Sequence, residues 1–290
     1  MIYRIRHLTR YVYSRPVFVE PQQVRLRPRC GPGVGLLDFD LRLAPDPAGT
    51  SWIKDAAGND ALSVWFDGLT PSLEIMVRAT VQTSAVNPFD YLPGAEANAP
   101  PLVLSENDRE LLAPCLLQRH PAPPEGDELD RVLAALPGGK TSVQACVLSL
   151  NQWIFENIAK TVRTEPGVLA PQDSLRRGRG ACRDLAVLFM EGVRRMGVPA
   201  RFVSGYQEGD PDKKERDLHA WAEAYFPGGG WRGFDPTHGL AAADRHIPLA
   251  HGPAPSDAAP LTGAFRGTNA ASRLEHSIEI AASKENPTKP

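Results

Sequence analysis

The uneven distribution of proline is the feature that most restricts how this chain can fold. The 290 residues include 28 prolines, against a usual share of about 5%. A proline inside a helix costs about 3 kcal/mol, because it removes a backbone donor and clashes with the preceding turn. Eight prolines fall within residues 87–124, whereas residues 138–210 contain three. Long helices are therefore expected in the proline-poor stretch and excluded from the segment before it.

Residues 1–86 show the two-residue alternation that is typical of half-buried β-strands. In the clearest run, Leu73, Ile75 and Val77 alternate with polar residues. A similar run occupies residues 38–43, and turn-forming residues separate such runs. This pattern predicts a small, sandwich-like antiparallel β domain over residues 1–86.

Residues 126–290 show the pattern of a second domain, which a proline-rich linker at 87–125 joins to the first. The linker has one short helical stretch. In the second domain, one helix is expected to begin with a capping box at Thr141, and another spans about residues 182–196. Alternating strands follow, and residues 274–280 are assigned to this domain as its final strand. Helices followed by strands indicate an α+β fold class.

Charge and composition exclude several broad functions. With 32 Lys+Arg against 34 Asp+Glu, the chain has no basic field for a phosphate backbone, so no nucleic-acid partner is expected. The sequence lacks a run of 18 apolar residues and a signal-peptide pattern, which favours a cytoplasmic protein with no membrane partner. Its four cysteines lie far apart without a CxxC pair, which argues against a disulfide framework. The oligomeric state is left open.

Cys182 lies at a predicted helix N-terminus, where a thiolate is favoured. Unpaired N–H groups and the positive end of the helix dipole both stabilise the anion. The preceding Gly178 and Gly180 permit a tight turn, and the backbone N–H of Cys182 can donate to an oxyanion beside the sulfur. The alternative is structural, because Cys182 also extends the apolar stripe of the helix towards Leu185 and Leu188.

A thiolate nucleophile needs a base and a group that orients the base, and two consecutive predicted strands can supply them. His219 begins one strand and Asp235 ends the next, in the order that a Cys-His-Asp triad requires. The two side chains meet only if an odd loop or a bulge in the hairpin pairs Trp221 with Asp235. Asp184 and Asp217 are competing orienters, ranked below Asp235.

Ordered sequence blocks resemble the transglutaminase-like superfamily. They are Gly180-Ala181-Cys182-Arg183-Asp184-Leu185-Ala186, Gly197-Val198-Pro199-Ala200-Arg201-Phe202-Val203-Ser204-Gly205-Tyr206, Leu218-His219-Ala220-Trp221-Ala222-Glu223 and Gly230-Trp231-Arg232-Gly233-Phe234-Asp235-Pro236-Thr237. The resemblance is greatest to the bacterial branch, in which a β-rich N-terminal domain precedes the core. Tyr3-Arg4-Ile5 and Thr9-Arg10-Tyr11-Val12-Tyr13 resemble that domain.

The resemblance implies a papain-like core with Cys182 as nucleophile, His219 as general base and acid, and Asp235 as orienter. It also implies attack on a peptide or carboxamide carbonyl through a thioester, which water or an amine releases. No cofactor is implied, and the calcium sites of animal transglutaminases have no visible counterpart. The side chain that completes the oxyanion hole is not assigned, although Trp153 and Gln172 are candidates.

Hydrolysis of a peptide or protein substrate, by a cysteine peptidase or amidase, is the preferred function, because a cytoplasmic protein has no obvious matrix to cross-link. The alternatives are a protein-glutamine transglutaminase and a non-catalytic protein- or peptide-binding module on the same fold. His238 and His246 suggest a metal site with Cys182, but no short ligand pair supports one. We therefore expect no metal.

Overall fold

A β-rich region, a helical region and a second β-rich region follow one another along the chain. The computed structural model describes residues 1–84, 87–94, 101–137, 142–209 and 216–284. Its strands are β1 (Ile2–Val19), β2 (Gln22–Val24), β3 (Val34–Ala44), β4 (Gly49–Lys54), β5 (Asp60–Trp65), β6 (Thr70–Thr83), β7 (Ala159–Lys160), β8 (Arg179–Gly180), β9 (Ala200–Gln207), β10 (His219–Phe226), β11 (Gly230–Asp235), β12 (Leu240–Ala241), β13 (His246–Gly252), β14 (Leu261–Thr262), β15 (Phe265–Arg266) and β16 (Ser272–Ser283). Its α-helices are α1 (Glu106–Leu111), α2 (Ala113–Leu116), α3 (Glu128–Ala135), α4 (Val143–Asn157), α5 (Pro171–Arg177) and α6 (Cys182–Arg195).

Two antiparallel sheets form the N-terminal β domain. One has the strand order β15-β1-β6-β3, with β16 also paired to β1, and the other has the order β14-β2-β5-β4. The alternating apolar residues of β6 are buried, with Leu73, Ile75 and Val77 each at most 1% exposed, and they share one core with Val24 and Val64 of the facing sheet. Burial of such a side chain contributes about 1.5–3 kcal/mol. The predicted antiparallel β domain is confirmed.

The C-terminal strand lies in the N-terminal sheet and not in the second domain. β16 pairs with β1 over its full length, from Ile2↔Ser283 to Tyr13↔Ser272. The strands β14 and β15 also join the N-terminal sheets. The prediction that residues 126–290 form one unit is therefore wrong at its C-terminal end. Two-residue alternation identifies a strand and its buried face, but it does not identify the neighbouring strand.

The second domain contains a five-stranded antiparallel sheet with helices on one face. Its order is β12-β11-β10-β9-β13. On that face, residues such as Ala222 and Phe234 share a core with the helices α4, α5 and α6. Where β9 pairs with β13, Tyr206, Ile247 and Leu249 are fully buried among residues of the N-terminal β domain. The α+β fold class is confirmed, and these contacts hold the sheet in which β10 begins with His219 and β11 ends with Asp235.

The helix boundaries follow local capping signals, with one shift from prediction. α6 ends at the C-cap residue Met196, and Gly197 follows with φ +76°, the left-handed conformation that glycine adopts without strain. α4 begins after Ser142, whose hydroxyl accepts from the Ala145 N–H at 3.2 Å. The predicted cap, Thr141, lies outside the described residues; Ser142 is the N-cap, one residue later than expected. The described part of the linker has two short helices, α1 and α2, instead of one.

None of the helices in the described ranges is long and apolar enough to cross a membrane.

Candidate active site

Cys182 is the first residue of the buried helix α6 and is itself partly exposed. A four-residue connection leads from α5 to α6, and its geometry depends on glycine. Gly178 ends α5 with φ +60°, and a Cβ at Gly180 would approach the Asp184 Cβ to 3.0 Å. A side chain at either position would therefore disturb the turn that places the sulfur at the start of the helix.

Asp184, a competing orienter by sequence, instead anchors this turn. Its carboxylate is fully buried and accepts the Ala181 N–H at 2.9 Å and the Leu169 N–H at 2.8 Å. The Arg163 guanidinium donates to both of its oxygens at 2.8 Å. The side chain thus ties the segment 163–169 to the helix start that carries Cys182, and none of its hydrogen bonds in the described residues goes to His219.

We expect Asp184→Ala to lower the free energy of unfolding by about 3–5 kcal/mol, because it leaves the Arg163 charge and two N–H groups without their buried acceptor. Urea denaturation measures this loss. Asp173→Ala is the matched control, since Asp173 is more exposed and pairs with the exposed Arg176 within α5; its effect should stay within about 0.5 kcal/mol. Equal stability of the two variants would contradict the anchoring role.

The hairpin between β10 and β11 has the odd loop that the triad requires. Phe226 pairs with Gly230, so three residues form the loop, and Ala222 pairs with Phe234. Continuing this register places Trp221 opposite Asp235, as predicted. His219 then lies diagonally across the ladder from Asp235, within reach of an imidazole and a carboxylate.

His219 joins the other two predicted site residues. Its Nε2 lies 2.8 Å from Asp235 Oδ2, so that a proton on Nε2 is donated to the carboxylate. His219 and the backbone N–H of Ala220 both act on the Cys182 thiol and favour its ionised form, which lowers the pKa of the thiol. The other competing orienter, Asp217, is exposed and instead contacts His276 at 2.8 Å.

The electrostatics of this cluster favour a thiolate beside an imidazolium. Burial would raise the pKa of Cys182, but the hydrogen bond and charge of His219 outweigh burial and lower it. Burial would lower the pKa of His219, yet its contacts with Asp235 and Cys182 raise it to about 9. The pKa of Asp235 is held well below its usual range because hydrogen bonds from histidine outweigh burial. The ion pair is therefore favoured near neutral pH.

Two family models match this chain, one for each domain. Residues 3–82 match the bacterial transglutaminase-like N-terminal region. Residues 131–236, which include the Cys-His-Asp cluster, match the transglutaminase-like superfamily. The chain therefore carries a bacterial transglutaminase-like N-terminal region followed by a transglutaminase-like core domain.

Other proteins are similar to nearly the whole chain in sequence or in fold. An uncharacterised protein of Mycobacterium leprae is 28% identical, over 96% of this chain and 97% of its own length. The crystal structure of a "Putative Cysteine Protease" from Cytophaga hutchinsonii superposes with a TM-score of 0.74 at 22% identity, covering 100% of this chain and 93% of that one, and shows the shared fold. A protein-glutamine gamma-glutamyltransferase of Pseudomonas aeruginosa is 36% identical over 69 residues, 21% of this chain and 10% of that protein.

In this transglutaminase-like core, two further histidines contact Asp235, and sequence reasoning missed this role. His238 Nδ1 lies 2.8 Å and His246 Nε2 lies 3.0 Å from Asp235 Oδ2, whereas the Thr237 N–H donates to Oδ1 at 3.0 Å. His238 follows Asp235 by three residues in a turn, a spacing that could have suggested the contact. His246 comes from β13, and nothing in the local sequence indicates that it reaches this carboxylate.

Among the described residues, the candidates for holding a metal ion are His219, Asp235 and His238. Each offers one ligand atom, and these three atoms all lie within 4.8 Å of one another. The two contacts at 2.8 Å to the carboxylate have the length of N–H···O hydrogen bonds. A metal ion would have to displace those protons. Hydrogen bonding thus accounts for the arrangement.

Gln172, one of two candidates to complete an oxyanion hole in the transglutaminase-like core, is placed elsewhere. Its side-chain amide donates to Asp127, which also accepts from Arg195 at the opposite end of α6 from Cys182. The candidacy of Gln172 is therefore wrong. Trp153, the other candidate, is partly buried and packs against the helical core.

Proposed function

We propose that this protein is a cysteine peptidase or amidase that transfers acyl groups from peptide or carboxamide carbonyls to water through a Cys182 thioester. The observation that carries the proposal is the position of His219, whose Nε2 lies 2.8 Å from Asp235 and whose imidazole interacts with the Cys182 thiol strongly enough to raise the pKa of His219 and lower that of Cys182. A bridging imidazole of this kind keeps a nearby thiol ionised and can return a proton to a leaving group.

In the first half-reaction, the Cys182 thiolate attacks the carbonyl carbon, and the carbonyl oxygen becomes an oxyanion. The backbone N–H of Cys182, at the start of α6, is the donor that the helix N-terminus offers to this oxygen. Collapse of the intermediate breaks the C–N bond, and the imidazolium of His219 gives its proton to the departing nitrogen. The products of this step are a free amine or ammonia and a thioester on Cys182.

In the second half-reaction, neutral His219 takes a proton from water as the water oxygen attacks the thioester carbonyl. The C–S bond breaks, the acyl group leaves as a carboxylic acid, and the thiolate–imidazolium pair is restored. Asp235 stays ionised throughout and keeps the Nε2–H of His219 pointed away from the substrate. We therefore propose these roles for Cys182, His219 and Asp235.

Transfer to an amine is the second candidate, and the similarity to part of the Pseudomonas aeruginosa glutamyltransferase favours it. Both reactions share the thioester and differ in the acceptor. We place water first because the proposed cytoplasmic location offers no obvious matrix to cross-link. A non-catalytic module that binds proteins or peptides is the remaining alternative.

A single assay separates these candidates. The protein is incubated with a glutamine-containing peptide, with and without a fluorescent primary amine, and the products are identified by mass spectrometry. Cleavage or conversion of amide to acid supports hydrolysis, whereas incorporation of the amine supports transfer. If neither product forms in a panel of such peptides, although Cys182 shows thiolate reactivity, the peptidase–amidase proposal fails. Peptide binding without turnover would then support the binding module.

A further inference from the structure

Three imidazoles from three separate elements converge on one oxygen atom of Asp235. His219 begins β10, His238 lies in the turn after β11, and His246 begins β13. Their ring nitrogens are 2.8, 2.8 and 3.0 Å from Oδ2. A triad needs only the first of these contacts. The other two add donors to the same oxygen and therefore compete with His219 for its negative charge.

The surroundings of His246 favour its Nε2 as a hydrogen-bond donor to Asp235. The residue is 5% exposed, and its Nδ1 is buried without a hydrogen-bond partner among the described residues. The ring makes a T-shaped contact with Trp221, with centroids 5.2 Å apart and an interplanar angle of 71°. A proton on Nδ1 would be buried without an acceptor there, which favours the tautomer that carries its proton on Nε2. That proton points at Asp235.

The N–H donors of His238 and His246 act differently from His219, whose charge changes during the proposed acyl transfer. His219 alternates between imidazolium and imidazole in the proposed reaction, so Asp235, which is fully buried, periodically loses its charged partner. The N–H groups of His238 and His246 remain in place in both states. They stabilise the carboxylate when His219 is neutral, and they weaken its hold on the His219 proton when His219 is charged.

We propose that His246 and His238 are positioning residues, which share the Asp235 oxygen with His219 and so limit how strongly Asp235 retains the His219 proton. The proposal rests on the proposed role of Cys182 and His219 as an acyl-transfer pair. The ionisable groups that face this carboxylate are the three histidines and, beyond His219, the Cys182 thiol. The backbone N–H of Thr237 holds the other oxygen and prevents the carboxylate from simply rotating.

Amide side chains allow matched tests, because glutamine places an N–H near the Nε2 position of histidine and asparagine places one near Nδ1. His246→Leu removes the donor and His246→Gln restores it. His238→Ala and His238→Asn form the same pair at a position where the side chain is 30% exposed. The readout is the rate at which iodoacetamide alkylates Cys182 as a function of pH, which requires no substrate.

We expect His246→Leu to move the upper inflection of this profile, where His219 loses its proton, up by about one pH unit. His246→Gln should stay close to the wild type. In the acyl-transfer assay, His246→Leu should lower kcat with little change in KM, because a more tightly held proton reaches the leaving group less readily. His238→Ala should also raise the upper inflection, but by less than His246→Leu, and His238→Asn should stay close to the wild type.

Two results would overturn the proposal: an unmoved inflection in both donor-removing variants, or a Gln variant that shifts as far as Leu. A purely structural role would lower the melting temperature without moving the inflection. If His246→Leu fails to fold, the His238 pair decides the question. A wild type with the expected alkylation profile but no turnover would refute the peptidase–amidase proposal and leave the alkylation test of His246 intact.

Discussion

Replacing Cys182 with alanine should lower acyl-transfer activity by about a million-fold. The proposed thioester forms on this sulfur, and removal of a covalent nucleophile from a catalytic triad has an effect of about this size. Folding should be preserved, because the residue is partly exposed at the end of a buried helix and alanine is a strong helix former. The melting temperature and the turnover number together measure both expectations.

Cys30→Ala is the matched control for this substitution. Cys30 is an exposed free thiol outside the described helices and strands, so its loss should leave turnover within about twofold of the wild type. Buried cysteines are less suitable, because their replacement would also remove packing. Appreciable turnover by Cys182→Ala, or a large loss in Cys30→Ala, would remove Cys182 from its proposed role.

Asp235→Asn should lower kcat by about 1,000- to 10,000-fold. The amide has nearly the same shape, but it lacks the charge that raises the pKa of His219, and a neutral partner at this position stabilises the wrong tautomer of the imidazole. The pKa of His219 should fall and that of Cys182 should rise, so the thiolate–imidazolium pair becomes less populated at pH 7. Steady-state kinetics and the alkylation profile of the same variant measure the two effects.

The substitution should also lower the stability of the protein at neutral pH. The folded-state pKa of Asp235 lies well below its usual value, so the ionised carboxylate stabilises the native state above the unfolded pKa of about 3.9, and this contribution is lost as pH falls through the folded pKa. An amide in its place gives the ring N–H groups of the three histidines a weaker acceptor, at a cost of about 1–3 kcal/mol. Urea denaturation at pH 7 measures the difference.

Asp217→Asn is the control for Asp235→Asn. Asp217 is two residues before His219 in sequence, but its side chain is 73% exposed and contacts His276 on β16. Both kcat and stability should remain near the wild type. A loss in Asp217→Asn comparable to that in Asp235→Asn would mean that the wrong carboxylate has been assigned to His219.

Much of the site geometry follows from local sequence patterns. The apolar stripe and the glycine stop predicted α6 with Cys182 at its start, and two-residue alternation predicted β10 and β11. The parity of the strand positions then required an odd hairpin loop, which the structure has between Phe226 and Gly230. Periodicity and turn chemistry act over a few residues, so the sequence alone is sufficient for these features.

Contacts between distant segments could not be predicted in the same way. The alternation in β16 indicated a strand, but pairing with β1 depends on which edge the returning chain reaches. His246 reaches Asp235 only because β13 adds to the far side of β9. Gln172 has an amide that could donate to the oxyanion, yet this amide donates to Asp127. Residue type indicates the available chemistry, whereas the tertiary fold determines the partner.

The pH dependence of Cys182 alkylation tests the thiolate–imidazolium pair most directly. The rate constant with iodoacetamide is measured from pH 5 to pH 10, with Cys30 of the same molecule followed as the internal reference by peptide mapping. Cys182 should react as a thiolate well below pH 8.5 and show an upper inflection near the His219 pKa of about 9. A single inflection near the ordinary thiol pKa of about 8.5, coincident with that of Cys30, would contradict the pair.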